Sequence, residues 1–91
     1  MSIRIHDLMH MAYKQKASDI HVAAGERPAL RIDGEIRRLD TEPLSSDMAR
    51  RLAYSVMSEK QKTTFESDWE IDFSIGIKGL CRFRVNVFTQ S

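Results

Sequence analysis

Cys81 is the only cysteine in the 91 residues, so an intramolecular disulfide is excluded. It falls on the apolar side of an alternating stretch and reads as a small core hydrophobe. A lone thiol fits a reducing compartment, and a cytoplasmic protein is expected. Long apolar runs are missing too. None approaches the roughly 18 residues of a membrane span, and no signal-peptide core follows Met1. An excess of charge of one sign is also lacking: 14 basic against 13 acidic side chains leave a net charge of +1. That balance argues against a nucleic-acid surface, which shows as a clear basic excess. There is no internal repeat and no low-complexity segment. What remains is 42% hydrophobic and 30% charged residues, the make-up of one small soluble domain with a modest core.

The most informative stretch is Lys78 to Ser91, KGLCRFRVNVFTQS. Cys81, Phe83, Val85 and Val87 alternate with Arg82, Arg84 and Asn86, a period of two that predicts a half-buried strand. Arg82 and Arg84 then project side by side, about 6–7 Å apart. Two planar, permanently charged forks on a rigid element suit carboxylate or phosphate. The stretch ends at Ser91 without cap or turn, as if cut from a longer chain.

Ahead of it, Ile5, Leu8, Met9, Ala12 and Tyr13 predict an amphipathic helix over Ile3 to Lys16. His6 and His10 share a metal-ligand spacing on that helix but lack a third ligand, so they read as solvated. Ala17 to Val22 predicts a short strand. Ser18, Asp19 and His21 hint at hydrolase chemistry, but alternation turns Ser18 away from the other two, so Asp19 or His21 is expected to bond nearby backbone. Asp33-Gly34 marks a hairpin, and matching Arg31 with Glu35 and Leu30 with Ile36 favours a bulged three-residue loop.

Ser45 or Ser46 caps a second helix that buries Met48, Leu52, Ala53 and Val56. Ser58 to Gln61 forms a capping box for a third, anchored by Phe65 and running to about Ser67. From Trp69 the period returns to two, and Gly76 to Gly79 turns the chain into the last strand. Aligning apolar faces pairs Ile75 with Cys81 and Phe73 with Phe83, which sets Asp72 across from Arg84 and Ser74 across from Arg82. Glu66, Asp68, Glu70 and Asp72 read as a charged solvent face. The order of elements gives an α+β domain: an antiparallel sheet with helices on one face.

Four motifs then stand in a familiar order: Ala17-Ser18-Asp19-Ile20-His21, Arg31-Ile32-Asp33-Gly34, Asp72-Phe73-Ser74 and Arg82-Phe83-Arg84-Val85-Asn86. The chain resembles the type II and type IV secretion ATPases over nearly its whole length, and within them the pilus retraction motors of twitching motility. The likeness begins within a few residues of Met1, which favours retraction motors over members that carry a further N-terminal domain. It implies that residues 1–91 form a single PAS-like N-terminal domain of a hexameric ring motor that withdraws pilin subunits. A RecA-like ATPase domain bearing the P-loop is outside this chain, which contains no G-x-x-x-x-G-K-[ST]. The fragment is therefore not expected to hydrolyse ATP, to hold a cofactor or metal, or to contain catalytic residues.

The full-length protein is expected to use ATP and Mg. Its implied partners are its own ATPase domain, neighbouring subunits of a homohexamer and the inner-membrane pilus machinery, without nucleic acid. Through that machinery it would be peripheral at the inner membrane. By motif position, the resemblance makes Arg84 first and Arg82 second the contacts for nucleotide phosphate. Ala17 to His21 is expected to be structural, fixing the first helix or a subunit interface. Two rival readings remain, a stand-alone PAS-like ligand-sensing or interaction domain and a small hydrolase built on Ser18, Asp19 and His21.

Overall fold

A computed structural model of the chain describes residues 4–77 and 81–89, and of Cys81 only the backbone. The elements run α1 (Ile5–Gln15), β1 (Asp19–Ala23), β2 (Ala29–Ile32), β3 (Glu35–Arg38), α2 (Ser46–Tyr54), α3 (Glu59–Asp68), β4 (Glu70–Ile77) and β5 (Cys81–Phe88). The class is α+β, as its order of elements implies. No helix among the described residues is long and apolar enough to cross a membrane. The predicted turn at Gly76 to Gly79 lies partly, and the predicted start of the first helix at Ile3 and the burial of the Cys81 side chain lie wholly, outside the described residues.

Each helix end has a local cause. α1 stops where Lys16 turns left-handed (φ 58°) and the Ala17 N–H reaches back to the Ala12 carbonyl at 2.9 Å. Its buried stripe is Leu8 and Ala12. Tyr13 is 44% exposed rather than buried, because it sits about 100° round the helix from Ala12. Ser45 caps α2, its Oγ accepting from the Met48 N–H at 3.1 Å. Ala49 joins Leu52 and Ala53 inside, while Met48 and Val56 lie only at the margin. The capping box of α3 closes in both directions: Gln61 N–H to Ser58 Oγ at 3.1 Å, and Ser58 N–H to Gln61 Oε1 at 2.9 Å. α3 continues to Asp68, and Trp69 is its left-handed C-cap (φ 61°) rather than the first residue of a strand.

The five strands form one sheet in the order β3-β2-β1-β5-β4. It is antiparallel except at its centre, where β1 runs parallel to β5 with Asp19 beside Arg84. Two predicted registers differ. In the first hairpin Asp33 (φ 51°) and Gly34 (φ 81°) form a two-residue turn that pairs Ile32 with Glu35 and Arg31 with Ile36. Two positive φ values match the twist of tight hairpins, and no bulge is needed. The matching of apolar faces misleads here because β3 is an edge strand exposed along its whole length, so placing Ile36 opposite Arg31 forfeits no burial.

In the second hairpin β4 continues through Gly76 to Ile77, which moves the register by two residues. Ile77 pairs with Cys81, Ile75 with Phe83, Phe73 with Val85, Ser74 with Arg84 and Asp72 with Asn86. A shift of two keeps every side chain on its face, so alternation alone does not separate the two alignments.

One face of the sheet is covered. Ile20, Val22, Leu30, Phe73, Phe83, Val85 and Val87 pack in a single cluster with Leu8, Ala12, Ala49, Leu52, Ala53 and Phe65 of the helices. The opposite face carries the polar set, with Arg82 and Arg84 exposed there and Asp19 and Ala29 buried. Gly34→Ala is expected to cost about 1–2 kcal/mol in chemical unfolding, the penalty of a left-handed alanine, since open space surrounds the position. An unchanged midpoint would show that the turn relaxes away from this geometry.

Candidate functional site

The central row of the open face reads Arg31, Asp19, Arg84, Ser74 across β2, β1, β5 and β4. Asp19 is its hub. Its carboxylate is only 8% exposed, and Arg84 Nε donates to Oδ1 at 2.7 Å. Ser18 Oγ donates to Oδ2 at 2.6 Å, and Arg31 Nε stands 3.8 Å from the same oxygen. A charged donor with a short, buried contact is the stronger kind of hydrogen bond.

This overturns the predicted partner of Arg84. Asp72 instead accepts from Asn86 Nδ2 at 2.7 Å, two residues along the strand from Arg84. The cause is the two-residue register shift together with the parallel β1–β5 pairing, which no hairpin alignment can reveal. The expectation that Asp19 or His21 bonds nearby backbone also fails. Asp19 is held by side chains, and His21 Nε2 is buried without a partner among the described residues. Ser18 lies just ahead of β1, where strict alternation does not yet apply, so its hydroxyl can swing towards Asp19. It is 2.6 Å from that carboxylate, an arrangement that orients the acid rather than activating the serine.

Arg84 is 66% exposed although its Nε is anchored, and among the described residues its Nη atoms make no hydrogen bond. One edge of the guanidinium is therefore open to a ligand. Arg82 is more loosely held, with a 3.4 Å contact from Nη2 to Ser74 Oγ. It is exposed on the same face. His6 and His10 are exposed on α1 with ring centroids 4.4 Å apart, edge to face. Glu70 and Asp72 both stand on the open, solvated side of β4.

Burial alone would raise the Asp19 pKa. The hydrogen bonds from Ser18 and Arg84, and the nearby charges of Arg84 and His21, outweigh that and hold it below the usual aspartate value. A depressed carboxylate stabilises the fold at neutral pH and loses that contribution as pH falls through the folded-state pKa. Asp19→Asn is expected to lower stability by about 1.5–3 kcal/mol at pH 7, the worth of charged hydrogen bonds. The difference from wild type should shrink only below about pH 4, the ordinary range for aspartate. Urea midpoints measured from pH 3 to 7 check this, and convergence near pH 6 would contradict it.

Sequence reasoning missed Asp19 and Arg31 as parts of the site. One signal was available: a carboxylate opening a strand whose next inward residues are Ile20 and Val22 needs a cation when buried. The sequence supplies Arg31, Arg82 and Arg84 as candidates but does not choose among them.

No protein-family model matches the chain. It is 42% identical over 87 residues to the type IV pilus retraction ATPase PilT of Pseudomonas aeruginosa, an alignment that covers 96% of this chain and 25% of that protein. A crystal structure of the pilus retraction motor PilT with bound ADP matches with a TM-score of 0.74 at 45% identity, over 96% of this chain and 26% of that one. The ATPase DotB of Legionella pneumophila has the same fold, with a TM-score of 0.72 at 22% identity over 94% of this chain and 25% of its own. The chain spans about a quarter of the length of each of these proteins.

Proposed function

The chain is homologous to the N-terminal region of PilT, the type IV pilus retraction ATPase, and on that premise we propose that it is the N-terminal domain of a pilus retraction motor. The motor is a hexameric ring. The domain packs against its own and a neighbouring subunit's ATPase domain and transmits nucleotide state to ring shape by rigid-body rotation. ATP, with its Mg²⁺, is bound by the ATPase domain, and the pilus machinery of the inner membrane receives the work.

Within that ring Arg84 contacts the nucleotide phosphates and Arg82 assists. The arrangement suits phosphate more than the base or the metal. The open Nη edge of Arg84 offers two parallel donors of fixed spacing, and its anchored Nε limits how far it wanders. Arginines directed at phosphoryl oxygens stabilise the charge that builds on them during transfer.

The observation that carries the reading is homology across 96% of the chain to a retraction motor. Sequencing the native gene beyond Ser91 tests it. The reading frame is expected to continue into a P-loop domain within roughly 100–200 residues, a usual domain length. A stop codon directly after Ser91 would overturn it. A full-length product that stays monomeric by light scattering with ATP present would overturn the ring.

A further inference from the structure

Two of the family-like motifs, Ala17 to His21 and Arg82 to Asn86, lie side by side in the sheet and are joined by a side-chain bond, Arg84 Nε to Asp19 Oδ1 at 2.7 Å across 65 residues of sequence. From this geometry we infer that Asp19 is a positioning residue for Arg84, oriented in turn by Ser18. The inference rests on the reading of Arg84 as a phosphate contact and specifies how that contact is made ready.

An arginine alone on an exposed strand samples many rotamers, and ordering it on a ligand costs conformational entropy. Here the ordering is done in advance. The Nε bond restricts the guanidinium, whose Nη atoms make no hydrogen bond among the described residues in a side chain that stays 66% exposed. The carboxylate that does this is itself fixed. It is buried, its Oδ2 takes a 2.6 Å bond from Ser18 Oγ, and its strand is paired on both sides. The Ser18 backbone adds to the frame: its N–H donates to the Arg31 carbonyl and its carbonyl accepts from the Arg84 N–H.

A carboxylate so close would repel a phosphate if it stood against one arginine only. Arg31 changes that balance. Its guanidinium lies 3.8 Å from Asp19 Oδ2 and is tied to the Gly34 carbonyl by Nη1 at 3.0 Å. One carboxylate between two guanidiniums leaves a net positive charge facing solvent. The trio therefore orients Arg84 and still attracts an anion.

The test is a double-mutant cycle in the full-length motor, with ATP turnover as the readout. Asp19→Asn keeps the shape and removes the charge. It is expected to lower kcat about ten-fold with KM for ATP nearly unchanged, the pattern of a misplaced transition-state contact. In an Arg84→Ala background the same substitution should have no further effect, because its whole action passes through Arg84. Ser18→Ala removes only the orienting bond from an exposed side chain. It should lower kcat by about three-fold, again only when Arg84 is present. Wild-type turnover in both Asp19→Asn and Ser18→Ala, with Arg84→Ala impaired, would overturn the inference and leave the proposed function standing. Effects that add to those of Arg84→Ala would overturn it as well. Normal turnover in Arg84→Ala alone would instead remove the phosphate contact, and the inference with it.

Discussion

Arg84→Ala in the full-length motor is expected to bind ATP normally and to lose turnover on the order of 10²-fold, the usual loss when one preorganised donor to a developing charge is deleted. The fold should survive. The guanidinium is 66% exposed, so its removal opens no cavity, and Asp19 keeps the Ser18 hydroxyl and the Arg31 charge. Arg84→Lys should not restore activity. An ammonium can pair with Asp19 or meet a phosphate, but it has no second edge with which to do both. Arg82→Ala should cost less, since Arg82 is held only by its long contact with Ser74. Steady-state hydrolysis and nucleotide-binding measurements on the same preparations decide the matter. Normal turnover in Arg84→Ala would reduce the Arg84–Asp19 pair to a structural ion pair.

The largest effect on stability is expected at Phe65. It is fully buried at the end of α3, between Tyr54 and Trp69 with ring centroids 6.0 and 6.1 Å away, both edge to face. Phe65 is the one apolar residue of α3 and its only buried one. Phe65→Ala should therefore cost about 3–5 kcal/mol, the sum of lost transfer energy and the cavity left behind. A domain of this size is stable by roughly 5–15 kcal/mol, so the loss is a large part of the total. Thermal unfolding should shift down by roughly 12 °C or more. Phe65→Leu, which fills most of the space, should fall well short of that. A loss under about 1 kcal/mol in Phe65→Ala would mean that α3 is not docked through this ring.

The consequences extend to function through one connection. Trp69 caps α3 and its carbonyl accepts from the Thr89 N–H at 3.0 Å, which ties the end of that helix to the end of β5. β5 carries Arg84. Loosening α3 should therefore reach the candidate site as a stability effect, distinguishable from a local one because Phe65→Ala would unfold the domain rather than selectively depress kcat.

Much of the fold was legible along the chain because its signals are local. The Ser58–Gln61 box, the Ser45 cap and the stripe of Leu8 and Ala12 each involve residues within one or two turns, and they sit where the sequence puts them. Alternation from Trp69 onward placed Phe73, Val85 and Val87 in the core correctly. It erred at the junction, where Trp69 serves the helix and not the strand. The hairpin registers failed for two different reasons. At β4–β5 the pattern repeats every second residue and accepts either alignment. At β2–β3 an edge strand has no buried face, so the demand that apolar residues match does not apply.

The candidate site divides along the same line. Residue types and spacing suffice to mark Arg82 and Arg84 as rigidly presented forks on one face of a strand, and Asp19 as an acid that opens another. That the two meet is a property of the assembled sheet. β1 and β5 lie side by side only after β2, β3, α2, α3 and β4 have been laid down between them in sequence, and they run parallel. Period-two patterning records which face a residue occupies, but neither the neighbour of its strand nor the direction of that neighbour. Burial then does the rest. Asp19 becomes a strong anchor because the folded sheet removes its carboxylate from water and leaves Arg84 largely outside, where one edge of the guanidinium can hold the acid and the other remains open to solvent.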